Sequence, residues 1–291
     1  MLVSVVIATY RRDESLRAAL KSILNQTYKA VEVIVVDDNA DEMWNRKVEN
    51  IIKEIGEIFS IVYIQNKNNK GSAETRNIGI KEAKGEYITF LDDDDIYLPN
   101  KIKNQVEHML ETKSDFSITD LELLNESGKR IETRTREYIK ETTKEALFKY
   151  HLMYHMTGTD TMMFKKIYLL KIGCFPKINV GDKFYLMQNA IEAGGRFSYL
   201  PVCYIKAYIH TDTNGLSSGD SKINGENALY KFKMNYFKKL DSKSVRYIKM
   251  RHYAVLSFAE IRRKNYRKFL KNSILAVLYS PIDCIKLIVN R

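Results

Sequence analysis

Two β-branched runs constrain this chain most: residues 2–9, LVSVVIAT, and residues 31–36, VEVIVV. Each is too short and too rich in Val and Ile for a helix, and the apolar side chains leave little room for a wet face. Such strands are buried on both sides, as in a parallel sheet covered by helices. The segments around them supply those helices. Asp13 can cap a helix that puts Leu16, Leu20, Ile23 and Leu24 on one face. Residues 43–55 repeat the pattern through Val48, Ile51, Ile52 and Ile55. Residues 61–65 read as a third strand, 72–83 as a helix stopped by Gly85, and 87–91 as a fourth strand. The alternation predicts an α/β fold.

A parallel sheet binds ligands beyond the carboxyl ends of its strands. Three polar clusters fall there: Thr9, Tyr10 and Arg12; Asp37 and Asp38; and the four consecutive aspartates Asp92 to Asp95. Four carboxylates after a buried strand repel one another and need compensation. A helix start would use one or two of them. A calcium loop is excluded, because its twelve-residue spacing with a central Gly is absent. A divalent cation carrying a diphosphate would offset them all.

The motifs VSVVIATYRR, VIVVDDN, NKGSAETRNIGI and GEYITFLDDDDIYLP, in this order and spacing, resemble the family 2 glycosyltransferases with the GT-A fold. The resemblance is close over residues 1–110 and looser to 215. It implies a Rossmann-like GT-A domain at 1–215, with a mixed, mostly parallel sheet flanked by helices. Residues 1–110 would bind the nucleotide sugar and 111–215 the acceptor, and a basic helical region, 216–291, would follow. By the same resemblance Thr9, Tyr10 and Arg12 surround the base and diphosphate, and Asp38 accepts the N3–H of uracil. Arg76 reaches the nucleotide, and Asp93 lies where the ribose is held. Asp92 and Asp94 fit a DxD pattern whose last carboxylate ligates Mn²⁺ or Mg²⁺ on the diphosphate, and His210 stands where relatives complete that site. Asp182 occupies the place of the base that deprotonates the acceptor hydroxyl, although many relatives show Glu-Asp where this chain has Gly181-Asp182. TGTDTMMFKK, residues 157–166, resembles the floor of the acceptor pocket, with Gly158 permitting close approach.

Each residue also has a plainer reading. Thr9-Tyr10 can be a turn, Asp37-Asp38 a helix cap, Arg76 a solvated charge, Asp182 a cap and His210 a structural histidine. The order and spacing of the set are what favour the functional reading.

The second half is less regular. LLNESGKRIE reads as a hairpin around residues 125–128, and a helix from Asp182 is ended by Gly194 and Gly195. From about residue 224 the pattern is helical. The formal charge is +11, and residues 241–291 hold twelve Lys/Arg against three Asp/Glu, so the excess sits in the tail and points to an anionic partner there. The tail is either packed through Phe269, Ile274, Leu275 and Leu278, or an amphipathic anchor on an anionic membrane surface. No fold signature for nucleic-acid binding accompanies it.

Three cysteines without a CxxC pair argue against a disulfide framework or zinc site and for a reducing compartment. The N-terminus has no basic region ahead of its apolar run, and no apolar stretch reaches the roughly 18 residues of a membrane span. The expectation is a cytoplasmic enzyme, or one peripheral on the inner face of a membrane. Its activity would be inverting transfer of a hexosyl or N-acetylhexosaminyl group from a UDP-linked sugar to a hydroxyl of a glycan or lipid-linked glycan, in cell-surface polysaccharide or glycoconjugate synthesis. The alternatives are a metal-dependent nucleotidyl or phosphoryl transferase, which a missing Gly-rich phosphate loop disfavours, and a non-catalytic relative, which the intact acidic cluster disfavours.

Overall fold

The computed structural model describes residues 1–57, 59–178, 181–209 and 219–289. By packing, the chain forms two compact units, residues 1–144 with 156–210, and residues 145–155 with 211–291. The sequence-based division at 215/216 differs from this at residues 211–215 and at residues 145–155. Residues 145–155 belong to the second unit because Lys149 pairs with Asp241 at 2.6 Å and the ring of Tyr154 meets that of Tyr247 at 4.9 Å.

In the first unit, β1 (Val3–Thr9), β2 (Val31–Asp37), β3 (Ile61–Gln65) and β4 (Tyr87–Phe90) form the parallel part of the sheet, in the order β3-β2-β1-β4. The helices α1 (Glu14–Leu24), α2 (Glu42–Gly56) and α3 (Ser72–Glu82) connect them. Asp13 caps α1 by accepting the Glu14 N–H at 2.9 Å, and Asp41 caps α2 by accepting the Trp44 N–H at 3.1 Å. Leu16, Leu20, Val48 and Ile51 are buried against Val3, Val5, Val33 and Val35, as the helical periodicity predicts. The register sets Thr9 beside Asp37 and Val6 beside Phe90, so all three polar clusters leave the sheet along one edge.

The sheet then continues as a mixed one. After the four aspartates come a two-residue strand, β5 (Ile96–Tyr97), and α4 (Lys101–Glu111). β6 (Phe116–Asn125) and β7 (Arg130–Arg134) form the expected hairpin, with Gly128 at φ 77°. α5 (Lys144–Tyr154) leads away, and β8 (Met163–Lys165) returns antiparallel between β4 and β6. α6 (Lys166–Lys171), α7 (Asp182–Glu192) and β9 (Phe197–Ile209) complete the unit, with β9 parallel to β6 and antiparallel to β5.

The second unit also contains α8 (Gly219–Met234), α9 (Ser242–Arg262), α10 (Tyr266–Tyr279) and α11 (Pro281–Val289). Its core joins Met250, Ala254, Ala276 and Cys284. The Tyr253 and Tyr279 rings stack at 5.6 Å, and Ser257 and Ser273 share a hydrogen bond of 2.6 Å. Of the four tail residues read as packing positions, Phe269 and Leu275 are half-buried, whereas Ile274 and Leu278 face outward at 51% and 72% exposure. All three cysteines are free thiols.

One close approach carries the base of the sheet. Glu32 Oε1 accepts the Ser4 hydroxyl at 2.5 Å and the N–H groups of Lys84 and Gly85 at 2.5 and 2.9 Å. A Cβ at Gly85 would sit 2.6 Å from the Ser4 backbone nitrogen, which cannot move without breaking β1. Gly85→Ala is therefore expected to lower stability by about 1–3 kcal/mol, measured by denaturant unfolding against wild type. An unchanged midpoint would mean the β1–β4 connection has slack the structure does not show.

Candidate active site

The edge where β1, β2 and β4 end is lined by carboxylates, each held by a different device. Asp38 is 4% exposed, and its backbone N–H donates to Thr9 O at 2.9 Å. Its carboxylate accepts Asn66 Nδ2, Lys70 N and Gly71 N, all at 2.8 Å. Three of its roughly four lone-pair directions are thereby used. Asp37 is a structural partner, accepting Asn39 N and Nδ2 and the Tyr63 hydroxyl. Neither residue caps α2, which Asp41 does.

The four aspartates are compensated by the protein itself. Arg76 Nη2 donates to Asp92 Oδ1 at 2.6 Å, and Lys183 Nζ reaches Asp92 Oδ2 at 3.4 Å. Although burial opposes it, Lys183 and Arg76 hold the Asp92 carboxyl well below its usual range. Tyr10 N donates to Asp93 at 3.1 Å, and Arg12 Nη2 to Asp94 at 3.0 Å. Burial and then the Asp94 charge push Asp93 up to about 7. Asp95 accepts the Tyr208 N–H at 2.9 Å. Burial and then the charge of Asp160 raise Asp95, while burial and then the charge of Asp92 raise Asp160, so both carboxyls ionise less readily than free ones. Beneath the turn, the fully buried Lys101 donates to Thr89 Oγ1 at 2.6 Å and lies 4.1 Å from the Tyr97 ring centre. Burial depresses its pKa.

Arg76 is 6% exposed, so it is no solvated surface charge. Its Nη1 lies 3.7 Å from Asp182 Oδ2, and both atoms are buried without a hydrogen bond. These polar atoms can serve a ligand. Asp182 is the first residue of α7, but the cap is Gly181, left-handed at φ 93°, and no side chain caps the helix. The capping reading of Asp182 is thus displaced. Tyr10 stands at the mouth, 45% exposed, with the Arg11 guanidinium 5.2 Å from its ring centre.

The expected residues Thr9, Tyr10, Arg12, Asp38, Arg76, Asp92, Asp93, Asp94 and Asp182 come to one edge of the first unit. His210 lies outside the described residues. Two partners were not read from the sequence. Lys183 follows Asp182 directly, where it passes for an ordinary helix residue. Asp160, in the TGTD segment, accepts the Asp92 N–H at 2.6 Å. Oxygens of Asp92, Asp95 and Asp160 lie within 4.8 Å of one another. A purely carboxylate set suits a hard divalent cation such as Mg²⁺ or Mn²⁺. Asp94, of the expected ligand pair, is ion-paired with Arg12 at 3.0 Å.

Asp160→Ala leaves the Asp92 N–H without its acceptor and should cost about 1–3 kcal/mol of stability. Asp160→Asn retains an oxygen for that N–H and should lose much less. Denaturant melts of both variants check the order. Equal stability of the two would mean that Asp160 acts through its charge alone.

Residues 4–169 match the family described as Glycosyl transferase family 2. An uncharacterized glycosyltransferase of Methanocaldococcus jannaschii is 32% identical over 220 residues, covering 74% of this chain and 73% of that protein. The Escherichia coli protein WfaP, a UDP-Glc:alpha-D-GlcNAc-diphosphoundecaprenol beta-1,3-glucosyltransferase, is 42% identical over 116 residues, 40% of this chain and 43% of WfaP. Among solved structures, S. aureus TarS 1–349 in complex with UDP-GlcNAc superposes with a TM-score of 0.61 at 18% identity, covering 94% of this chain and 89% of that one. That last likeness is one of fold.

Proposed function

Because the chain belongs to glycosyltransferase family 2 and has its GT-A fold, we propose that it moves a sugar from a UDP-sugar to a hydroxyl of a glycan or lipid-linked glycan, by a single inverting displacement. The observation that carries the reading is Asp182: a buried carboxylate with one oxygen free of hydrogen bonds, 3.7 Å from the arginine that holds Asp92. The UDP in the names of WfaP's donor and of the TarS ligand supports the nucleotide. WfaP's lipid diphosphate acceptor supports the acceptor class.

Thr9, Tyr10 and Arg12 line the diphosphate and base, with the exposed Tyr10 ring offering a stacking surface. Asp38 accepts the uracil N3–H. Asn66 and the Lys70 and Gly71 N–H groups fix its carboxylate, so the acceptor is rigid before the base arrives. Asp93 lies by the ribose. Asp92 and Asp94, with His210 as the expected third member, or Asp92 with Asp95 and Asp160, would hold Mn²⁺ or Mg²⁺. Such a cation, when bound, offsets negative charge growing on the departing diphosphate. Arg76 and Lys183 add fixed positive charge at the same place. Asp182 takes the acceptor's hydroxyl proton as its oxygen attacks the anomeric carbon.

The test is release of UDP from UDP-glucose and UDP-N-acetylglucosamine with and without a lipid-diphosphate-linked sugar. No acceptor-dependent release from any UDP-sugar would sink the reading. Asp182→Asn should lower transfer by roughly 10²–10⁴ while UDP binding, measured by calorimetry, stays within a few-fold. Turnover close to wild type would place the base elsewhere. UDP should also bind more tightly than GDP, because the larger guanine does not fit a slot set by Asp38. Tighter GDP binding would overturn the uracil assignment.

A further inference from the structure

Helices α10 and α11 bear an apolar face that no described residue of the second unit covers. Tyr266, Leu270, Ile274 and Leu278, one helical turn apart, are 65%, 59%, 51% and 72% exposed. Ile282 and Ile285 of α11 continue the face at 69% and 62%. With Val277 they make seven of the eighteen exposed large hydrophobic side chains among the described residues, gathered between residues 266 and 285. That concentration is not the ordinary scatter of surface apolar residues. Ala276 and Cys284 turn the other way, into the core with Met250 and Ala254.

The charges beside this face choose its occupant. Residues 262–271 hold six Lys/Arg and no Asp/Glu. At about 100° per residue, Arg267 and Lys271 point in the same general direction as Ile274 and Leu278, one or two turns nearer the start of α10. The surface is therefore mixed apolar and cationic over the first turns of α10 and apolar from Ile274 onward. A second copy meeting the same face would bring like charges together across a low-dielectric contact. An anionic bilayer satisfies both kinds of side chain: the apolar ones enter the acyl boundary while the cations meet the headgroups. Spanning is excluded for this segment, since α10 and α11 have 14 and 9 residues and a span needs roughly 20.

We propose that the α10–α11 face seats the protein on an anionic phospholipid surface, lying in the interface. The proposal stands on these helices alone and does not depend on the reaction assigned to the first unit. The test is sedimentation of the full chain with vesicles of phosphatidylcholine alone or mixed with phosphatidylglycerol. The variants are Ile274→Glu with Leu278→Glu, and Arg267→Glu with Lys271→Glu. Truncating the tail would be uninformative, because it removes Ala276 and Cys284 from the core.

The intact protein should bind the phosphatidylglycerol vesicles, and added salt should weaken the binding. Each double variant should bind at least about tenfold more weakly, with thermal midpoint and UDP affinity unchanged. Failure of the intact protein to bind at any phosphatidylglycerol content would overturn the proposal. So would binding that ignores headgroup charge, or binding that survives both double variants. A dimer in light scattering that Ile274→Glu with Leu278→Glu abolishes would assign the face to a second copy instead. UDP binding measured alongside separates any such result from a fault in the nucleotide reading.

Discussion

The acidic turn from Asp92 to Asp95 organises the first unit. Two unit charges 4 Å apart repel by about 1 kcal/mol in water and about 4 kcal/mol near a protein surface, so four adjoining carboxylates at a half-buried edge demand partners. They receive them one by one: Arg76 and Lys183 for the Asp92 carboxylate and Asp160 for its N–H, the Tyr10 N–H for Asp93, Arg12 for Asp94, and the Tyr208 N–H for Asp95. These partners come from the loop after β1, from α3, from the segment before β8, from α7 and from β9. Local repulsion is thereby converted into a reason for distant parts of the chain to meet.

Arg76 is the link between the two halves of that unit. One guanidinium nitrogen bonds Asp92, at the end of the parallel strands, while another lies 3.7 Å from Asp182, at the start of α7. A side chain buried to this degree can remain charged because Asp92, Asp182 and Asp160 offset the desolvation. The same arrangement sets the proposed base beside the proposed donor site without any metal being needed to join them. A cation would then act on the leaving diphosphate, not as the cement of the cluster.

The parallel strands were legible because their signal is local: a β-branched run has one reasonable conformation when both faces are covered. Convergence of the three polar clusters was also legible, since parallel strands must end on one edge. TGTDTMMFKK reads by itself only as a loop entering a strand; that the strand is three residues long and lies antiparallel between β4 and β6 depends on those distant partners. Asp160 and Lys183 were missed for the same reason. Nothing nearby in sequence distinguishes them, and their partner Asp92 lies 68 and 91 positions away. In the tail the helices were legible but their orientation was not. Apolar residues occur around most of α10, and only packing shows that Ala276 turns inward while Ile274 and Leu278 turn outward.

Asp182 shows how local geometry sharpens a chemical question. A Gly-Asp pair before an apolar helix can be read both as a cap and as a catalytic carboxylate, and the resemblance favours the second. Here Gly181, with no Cβ to oppose its positive φ, occupies the cap position, and the aspartate begins the helix without a capping bond. Ser, Thr, Asn or Asp lost from a cap costs about 0.5–2 kcal/mol, but that cost does not attach to Asp182. A carboxylate in the first helical turn still gains from the helix dipole, roughly 0.3–1 kcal/mol, and this would be equally available to a residue with its oxygens bonded. Asp182 Oδ2 helps to offset the buried charge of Arg76 at 3.7 Å, yet neither that pairing nor the helix dipole gives it a hydrogen bond. Accepting a proton from an incoming hydroxyl would use that atom, and under the proposed reading its neighbour Arg76, paired with Asp92, would lie beside the departing diphosphate.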